Sequence, residues 1–563
     1  MADVVTNDKY YYDIASAIRT IRGVNTKYKP SALDNAISGY GNSAPMSSFI
    51  RTSMKSYYFN SSVSYIGSLA FYYNNGIRFA SFENCTHIYD GAFSYCTNLS
   101  YIYAPNCEYI GATAFNYCMP LVSVSFPVCS YIGDSAFYAC SSLTSVYLPQ
   151  CTFLGRSAFG SCTTLTTINL PNCTTAGAGC FSSMRSLTTV NLPKCTTIGD
   201  FAFYSCSNLV SVNMPLLTSL PISAFFTCSK LSNISLPSCL AVSDNVFTNC
   251  NALTNVNLPN CSYIGIYTFR SCSSLTNINL PNCETINTGA FESCASLSEI
   301  YLPNCTYISN YAFRYCNSLQ KVSLPACVSI YTNVFSNLTS LSQIDLPVCK
   351  SIGTGAFLGC SNLEYINLPA CISLSGSVFQ SCISLKSINL PLMSYSIQNS
   401  TFYGCTNLSY VSAPITIGIR GQAFMNCTAL ESIYAPQVAT IEASAFKGCT
   451  MLSQVIFPRC NRIYSDVFNG CINLSLVSIG SITVSGGSIY STAFKNCYNL
   501  LSLYLMGGGI TLSNINAFES TPISNYTAST GGVYGSIYIP ASRYNWYSTA
   551  TNWVTYKSRM VSI

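Results

Sequence analysis

Apolar positions recur along this chain with a period much longer than that of a helix or a strand. Phenylalanine stands at Phe71, Phe93, Phe115, Phe137 and Phe159, and the steps of 22 continue unbroken to Phe379. The series resumes at Phe402, Phe424, Phe446, Phe468, Phe494 and Phe518, with steps between 22 and 26. A period held over about 450 residues predicts a solenoid of stacked coils, not a string of separate globular domains. Within one unit, Leu143-x-x-Val146-x-Leu148-x-x-Cys151 carries the alternation of a short strand with its apolar side inward. Pro149 ends that strand because it has no N–H to give to a ladder. The half-unit Ser135-Ala136-Phe137-Tyr138-Ala139-Cys140 predicts a turn or short helix on the opposite wall, with Phe in the core. One coil cannot bury its own apolar edge, so stacked neighbours must create the core.

The whole unit, Tyr131-Ile132-Gly133 through Ala136-Phe137, Cys140, Leu143, Val146 and Leu148-Pro149, resembles the BspA-type leucine-rich repeat over roughly residues 60–520. The resemblance implies a parallel-sheet solenoid of about 21 coils used for adhesion and surface binding, without catalytic activity of its own. The expected organisation is a helical attachment module over 1–44, a solenoid over 45–530 and a C-terminal strand-helix cap over 531–563.

The two ends differ from the repeat. Ile14, Ile18 and Ile21 fall on one face of a predicted helix that stops at Gly23. Tyr28-Lys29-Pro30-Ser31 opens a second short helix with Leu33, Ala36 and Ile37. Such a hairpin is too small for a sizeable core, so Ile14, Ile18, Ile21, Tyr28, Leu33 and Ile37 are expected to dock on something. The string from Asp13 to Ile37 resembles an N-terminal module of phage tail and fibre-like proteins; a solenoid N-cap is the other reading. Residues 41–60 read as a linker or a degenerate first coil, Phe49 lying one 22-residue step before Phe71. At the C-terminus, Gly535 to Pro540 predicts a last strand, and Ala541 to Ser558 a helix carrying Trp546, Ala550, Trp553 and Lys557. An aromatic helix over the last coil would close an open solenoid end. This ending also resembles the C-terminal caps of BspA-like and phage repeat proteins. Between Phe468 and Phe518 the period stretches around Gly480, Gly486, Gly487 and Gly507-Gly508-Gly509, which predicts outward loops.

Composition narrows the function. Only 8% of the 563 residues are charged, 49% are hydrophobic, and the net charge of +6 is spread thinly. No basic block tracks a nucleic-acid backbone, and polar residues interrupt every apolar run before it reaches membrane-spanning length. No membrane insertion and no nucleic-acid partner are therefore expected. The start at Met1 shows neither a basic nor an apolar signal region, and the end shows no anchor motif, so synthesis in a reducing cytoplasm is expected.

Thirty-two cysteines demand a reading. Seventeen follow the repeat Phe by three residues, from Cys96 to Cys497, and fourteen follow the strand Pro slot by two, from Cys85 to Cys460. Cys180 alone falls outside, before Phe181. Met184, Leu338, Leu217, Met393 and Val438 take Cys slots in other coils, as buried hydrophobes would and half-cystines would not. Free core thiols are the expectation; bridging within one ladder and metal binding are the alternatives. No metal or cofactor is expected. His87, the only histidine, sits in a slot held elsewhere by Tyr65, Tyr109, Tyr131 and Phe153, which reads as one member of an aromatic stripe. Without paired carboxylates or a phosphate-binding glycine loop, no enzyme is expected.

Outward strand positions carry the candidate site. One column includes Tyr103, Tyr147, Asn169, Asn191, Asn213, Asn257, Asn279, Tyr301, Asn367, Asn389 and Tyr434; the column two residues earlier includes Tyr101, Tyr365 and Tyr410. Amides and hydroxyls interleaved with rings suit sugar recognition, whereas Asn and Ser/Thr ladders also stiffen a parallel sheet. The combined expectation is a phage virion protein of tail or fibre type, assembled in the host cytoplasm. Its solenoid would bind a bacterial surface glycan or protein receptor, and its N-terminal module would meet other virion proteins. The alternatives are a bacterial cell-surface adhesin and a structural spacer or decoration protein without ligand. A homo-oligomer stays open.

Overall fold

The computed structural model describes the backbone of 56–59 and residues 63–480, 486–526 and 528–563. The expected attachment helices, with Ile14, Ile18, Ile21, Tyr28, Leu33 and Ile37, lie outside the described residues, as does Phe49. The described chain falls into two compact units, one ending at Leu280 and one running from Pro281 to Ile563.

Each coil of the first unit contributes two parallel strands. A long strand such as Thr167–Asn169 alternates exposed, buried, exposed, and a two-residue strand such as Thr175–Ala176 follows the Pro171 corner. The short strand leaves no signature in the sequence, because two residues are too few to show a period. Long strands pair in register with their equivalents one coil on, Thr167 facing Thr189 and Asn169 facing Asn191. They group in twos and threes, whereas the short strands from Tyr65–Ile66 to Thr197–Ile198 form one seven-stranded sheet. Strand Ser56–Phe59 pairs with Phe79–Phe82, so residues 56–59 are a rung of the ladder and not a linker.

The opposite wall is turn, not helix. In each coil two residues four apart take left-handed backbone, for example Ser135 (φ 54°) and Ala139 (φ 57°). This geometry aims alternate N–H groups along the stack: Ser135, Phe137 and Ala139 donate to the carbonyls of Arg156, Ala158 and Gly160. A helix would satisfy those donors within its own coil; the turns use them to join neighbours. Left-handed backbone costs a non-glycine residue about 1 kcal/mol, and the inter-coil bonds offset it. The Phe rings stack inside, Phe93 on Phe115 at 5.2 Å and 2°, then Phe115 on Phe137 at 5.1 Å and 4°, all fully buried. Gly155 marks one close approach of coil backbones, where a Cβ would lie 2.5 Å from the Asp134 amide nitrogen.

The second unit repeats this plan, with Phe291 to Phe518 as its ring column. Its short-strand sheet lapses around the 23-residue step between Phe379 and Phe402, where the extra residue leaves only the bridge Ile397 to Ile419. Its last coil is covered by strand Ser536–Ile539, helix Ala541–Thr549, a 3-10 helix Trp553–Arg559 and a final strand Met560–Ser562. The single helix expected over Ala541 to Ser558 is thus two pieces, broken at Ala550, whose backbone is extended. The break lets Trp553 turn fully inward while Trp546 stays 41% exposed. Trp553 Nε1 donates to the Ile510 carbonyl at 2.8 Å, Tyr547 Oη to Gly507 at 2.9 Å, and Tyr556 Oη to Ile515 at 2.6 Å. These polar tips satisfy backbone groups that an open coil would leave bare. Gly507 and Gly508, expected in an outward loop, are buried beneath this cap.

Candidate binding face

The long strands place their first and third residues outward because the middle residue, Val or Ile, is drawn into the core. In the first unit every outward residue from Phe79 to Asn279 is uncharged. The column carries an amide ladder in two runs: in the first, Asn191 Nδ2 donates to Asn169 Oδ1 at 2.8 Å, and Asn213 Nδ2 to Asn191 Oδ1 at 2.7 Å. Asn279 and Asn257 repeat the bond at 2.8 Å, and Asn257 continues it to Ser235 at 3.0 Å. Each interior amide engages one N–H and its oxygen along the column, leaving a second N–H to face outward. The ladder therefore stiffens the sheet and holds a row of donors in one orientation.

Tyrosines on this unit fall into two kinds. Tyr101 stacks on Phe79 at 5.1 Å and 5°, so one of its faces is covered. Tyr103 and Tyr147 have no ring partner among the described residues; they stand 43% and 57% exposed, with Ser125 between them. In the second unit Tyr301 is 64% exposed opposite Ser323. Tyr365 has Lys386 Nζ 5.2 Å from its ring centre, with Lys386 paired to Glu364 at 2.5 Å, so its face is partly roofed. Tyr410 and Tyr434 lie on neighbouring strands in different columns, each opposite a serine. Asn367 bridges Asp345 and Asn389 faces Ser412. Glu299, Lys321 and Asp345 interrupt the neutrality of this second face.

The short-strand side behaves differently. His87 stacks on Tyr109 at 5.6 Å, Tyr109 on Tyr131 at 4.8 Å, and Tyr131 on Phe153 at 4.9 Å. His87 Nδ1 lies 2.9 Å from Thr86 Oγ1. Rings stacked face to face present only edges, so the stripe is packing and His87 is one member of it. Asp90 and Asp134 are also committed, accepting the N–H groups of Ala112 and Arg156 one coil on, both at 2.7 Å.

All 32 cysteines are free and buried. Both ladders make a bond the sequence did not reveal. Thiols after the repeat Phe donate to the Phe carbonyl of the preceding coil, Cys140 to Phe115 at 3.2 Å. Thiols after the Pro slot donate two residues ahead, Cys107 to Tyr109 at 3.3 Å. Thr416, in a Pro-slot Cys position, donates instead to a carbonyl of the preceding coil, Tyr395, at 2.7 Å. Burial pushes the Cys85 thiol up to about 12 and Cys118 well above its usual value. Among the described residues no group of three His, Cys, Asp or Glu side chains converges as a metal ion would require. No helix among them is long and apolar enough to cross a membrane.

The BspA type leucine rich repeat region matches in six copies, over residues 42–144, 130–251, 196–320, 240–348, 306–431 and 417–533. No curated protein matches. Among solved structures, a leucine-rich repeat protein from Bacteroides ovatus is similar at 23% identity, over 60% of this chain and 86% of that one, with a TM-score of 0.46. A leucine rich cell surface protein from Faecalibacterium prausnitzii is 26% identical over 48% of this chain and 87% of that one, with a TM-score of 0.30. A leucine rich repeat protein of T. pallidum is 20% identical over 35% and 77%, with a TM-score of 0.21.

Proposed function

This chain belongs to the BspA-type leucine-rich repeat family, and from that premise we propose that it is a non-enzymatic adhesin that presents its long-strand face to a glycan-covered surface. The observation that carries this reading is the uncharged outward face of the first unit, where amides are held in a hydrogen-bonded row beside unstacked tyrosines. Such a face offers oriented donors and apolar ring faces together, the combination a neutral sugar needs. The binding groups are rigid before contact, which reduces the ordering cost of association. Saturable binding of the full chain to bacterial cells and to purified wall glycans, insensitive to moderate salt, is the expected result. Absence of saturable binding to either would favour a spacer without ligand.

A second reading, a phage tail or fibre component, draws support from the string Asp13 to Ile37 and its resemblance to virion attachment modules. Antibody labelling separates the two. Signal on intact cell envelopes supports the adhesin, and co-purification with phage particles supports the fibre.

A further inference from the structure

The core measures the step between coils: 5.2 Å from Phe93 to Phe115 and 5.1 Å from Phe115 to Phe137. These three coils carry Tyr103, Ser125 and Tyr147 in one outward column. The two unstacked rings therefore stand two coils apart, about 10 Å at the spacing of parallel strands, with a hydroxyl between them. The same column continues as Asn169, Asn191 and Asn213, whose amides are fixed one coil apart.

We propose that Tyr103, Ser125, Tyr147 and the Asn169–Asn191–Asn213 row form a site for an uncharged β-1,4-linked glycan lying along the stack of coils. This rests on the surface-binding reading and names its ligand class. An equatorially linked pyranose chain is a flat ribbon whose successive sugars are flipped. The same face thus returns every second sugar, over roughly the distance between the two rings. Each ring covers the C–H face of an alternate sugar. Ser125 meets the hydroxyls of the sugar between them, and the outward amide N–H groups meet those of the sugars beyond, one per coil. An α-1,4-linked chain coils and would leave the column after one contact. The absence of charge from both outward columns selects a neutral chain, since an acidic glycan would lose water without gaining a partner. In the second unit Tyr301 has no such repeat, because the third coil of its column carries Asp345 in place of a second ring.

The test is calorimetric titration of the full chain with cellohexaose, chitohexaose and maltohexaose. Binding of at least one β-1,4-linked hexasaccharide, with no binding of maltohexaose, is expected. Tyr103→Ala and Tyr147→Ala should each weaken it roughly tenfold, the order of one ring-face contact. Tyr147→Phe should retain most of the affinity, and Tyr263→Ala, at an exposed tyrosine of the short-strand side, all of it. Unchanged melting temperatures would exclude misfolding as the cause. Equal affinity for maltohexaose, no affinity for either β-1,4-linked chain, or wild-type affinity in the alanine variants would overturn the assignment. If the Tyr103→Ala/Tyr147→Ala double variant still binds cells as the wild type does, the glycan site fails and the surface-binding reading stands. If the full chain binds neither cells nor any oligosaccharide, both fail.

Discussion

The Cys118 thiol donates to the carbonyl oxygen of Phe93, one coil back, at 3.1 Å. That carbonyl also accepts the Cys96 N–H at 3.0 Å. A buried thiol thus supplies a second partner to an oxygen that would otherwise keep one bare lone pair. The cysteines of both ladders are small buried fillers, which explains why apolar residues can replace them, and those after the repeat Phe also join coil to coil.

Such thiols should be inert in the folded chain. Because the thiolate is the reactive form and burial suppresses it, a disulfide reagent at pH 8 should modify almost none of the 32. Unfolding in denaturant without reductant should release a count near 32. A count near zero would mean that the thiols are bridged.

The same burial sets an alkaline limit on stability. Cys85 rises from 9.0 to about 12 on folding, so its contribution is complete below about pH 9. Above that, the unfolded chain releases protons that the folded chain retains, and stability falls until the folded thiol itself ionises near 12. With many thiols shifted alike, the melting temperature should hold steady from about pH 6 to 8 and drop steeply above pH 9. A flat profile to pH 11 would contradict this.

Backbone proximity makes glycine positions unequal. Gly155→Ala would press a methyl against the Asp134 nitrogen and the Gly133 carbonyl carbon, both 2.5 Å away, and should cost about 1–3 kcal/mol. Gly421→Ala meets nothing nearer than 3.5 Å and should change stability by no more than about 0.5 kcal/mol. Urea denaturation of the two variants checks the contrast.

Closure of the second unit should depend on Trp553. Trp553→Ala removes a fully buried ring and leaves the Ile510 carbonyl without its indole donor, a loss of about 3–5 kcal/mol. Hydrogen exchange should then speed up first in the last coil, around Ile510 and Leu512. In a Trp546→Phe background, Trp553 emission should be blue-shifted in the fold and move red on local opening.

Much of this protein was legible in its repeat. Phe93, Phe115 and Phe137 at steps of 22 specify stacked coils because each apolar edge has only its neighbour to cover it. Val146 between Ser145 and Tyr147 likewise announces which strand residues point outward. Tertiary structure alone decided the rest. Ser135 and Ala139 carry no left-handed signature; inter-coil N–H bonds impose that backbone on them. The carbonyl partner of each thiol after a repeat Phe lies about a coil away in sequence, beyond any local pattern. Whether a tyrosine offers its face or only its edge depends on what stands one coil to either side. Tyr109 is sandwiched and Tyr147 is open, although both are simply tyrosines in a periodic slot. A repeat specifies which residues share a column, and packing between coils decides which of them remain free to bind.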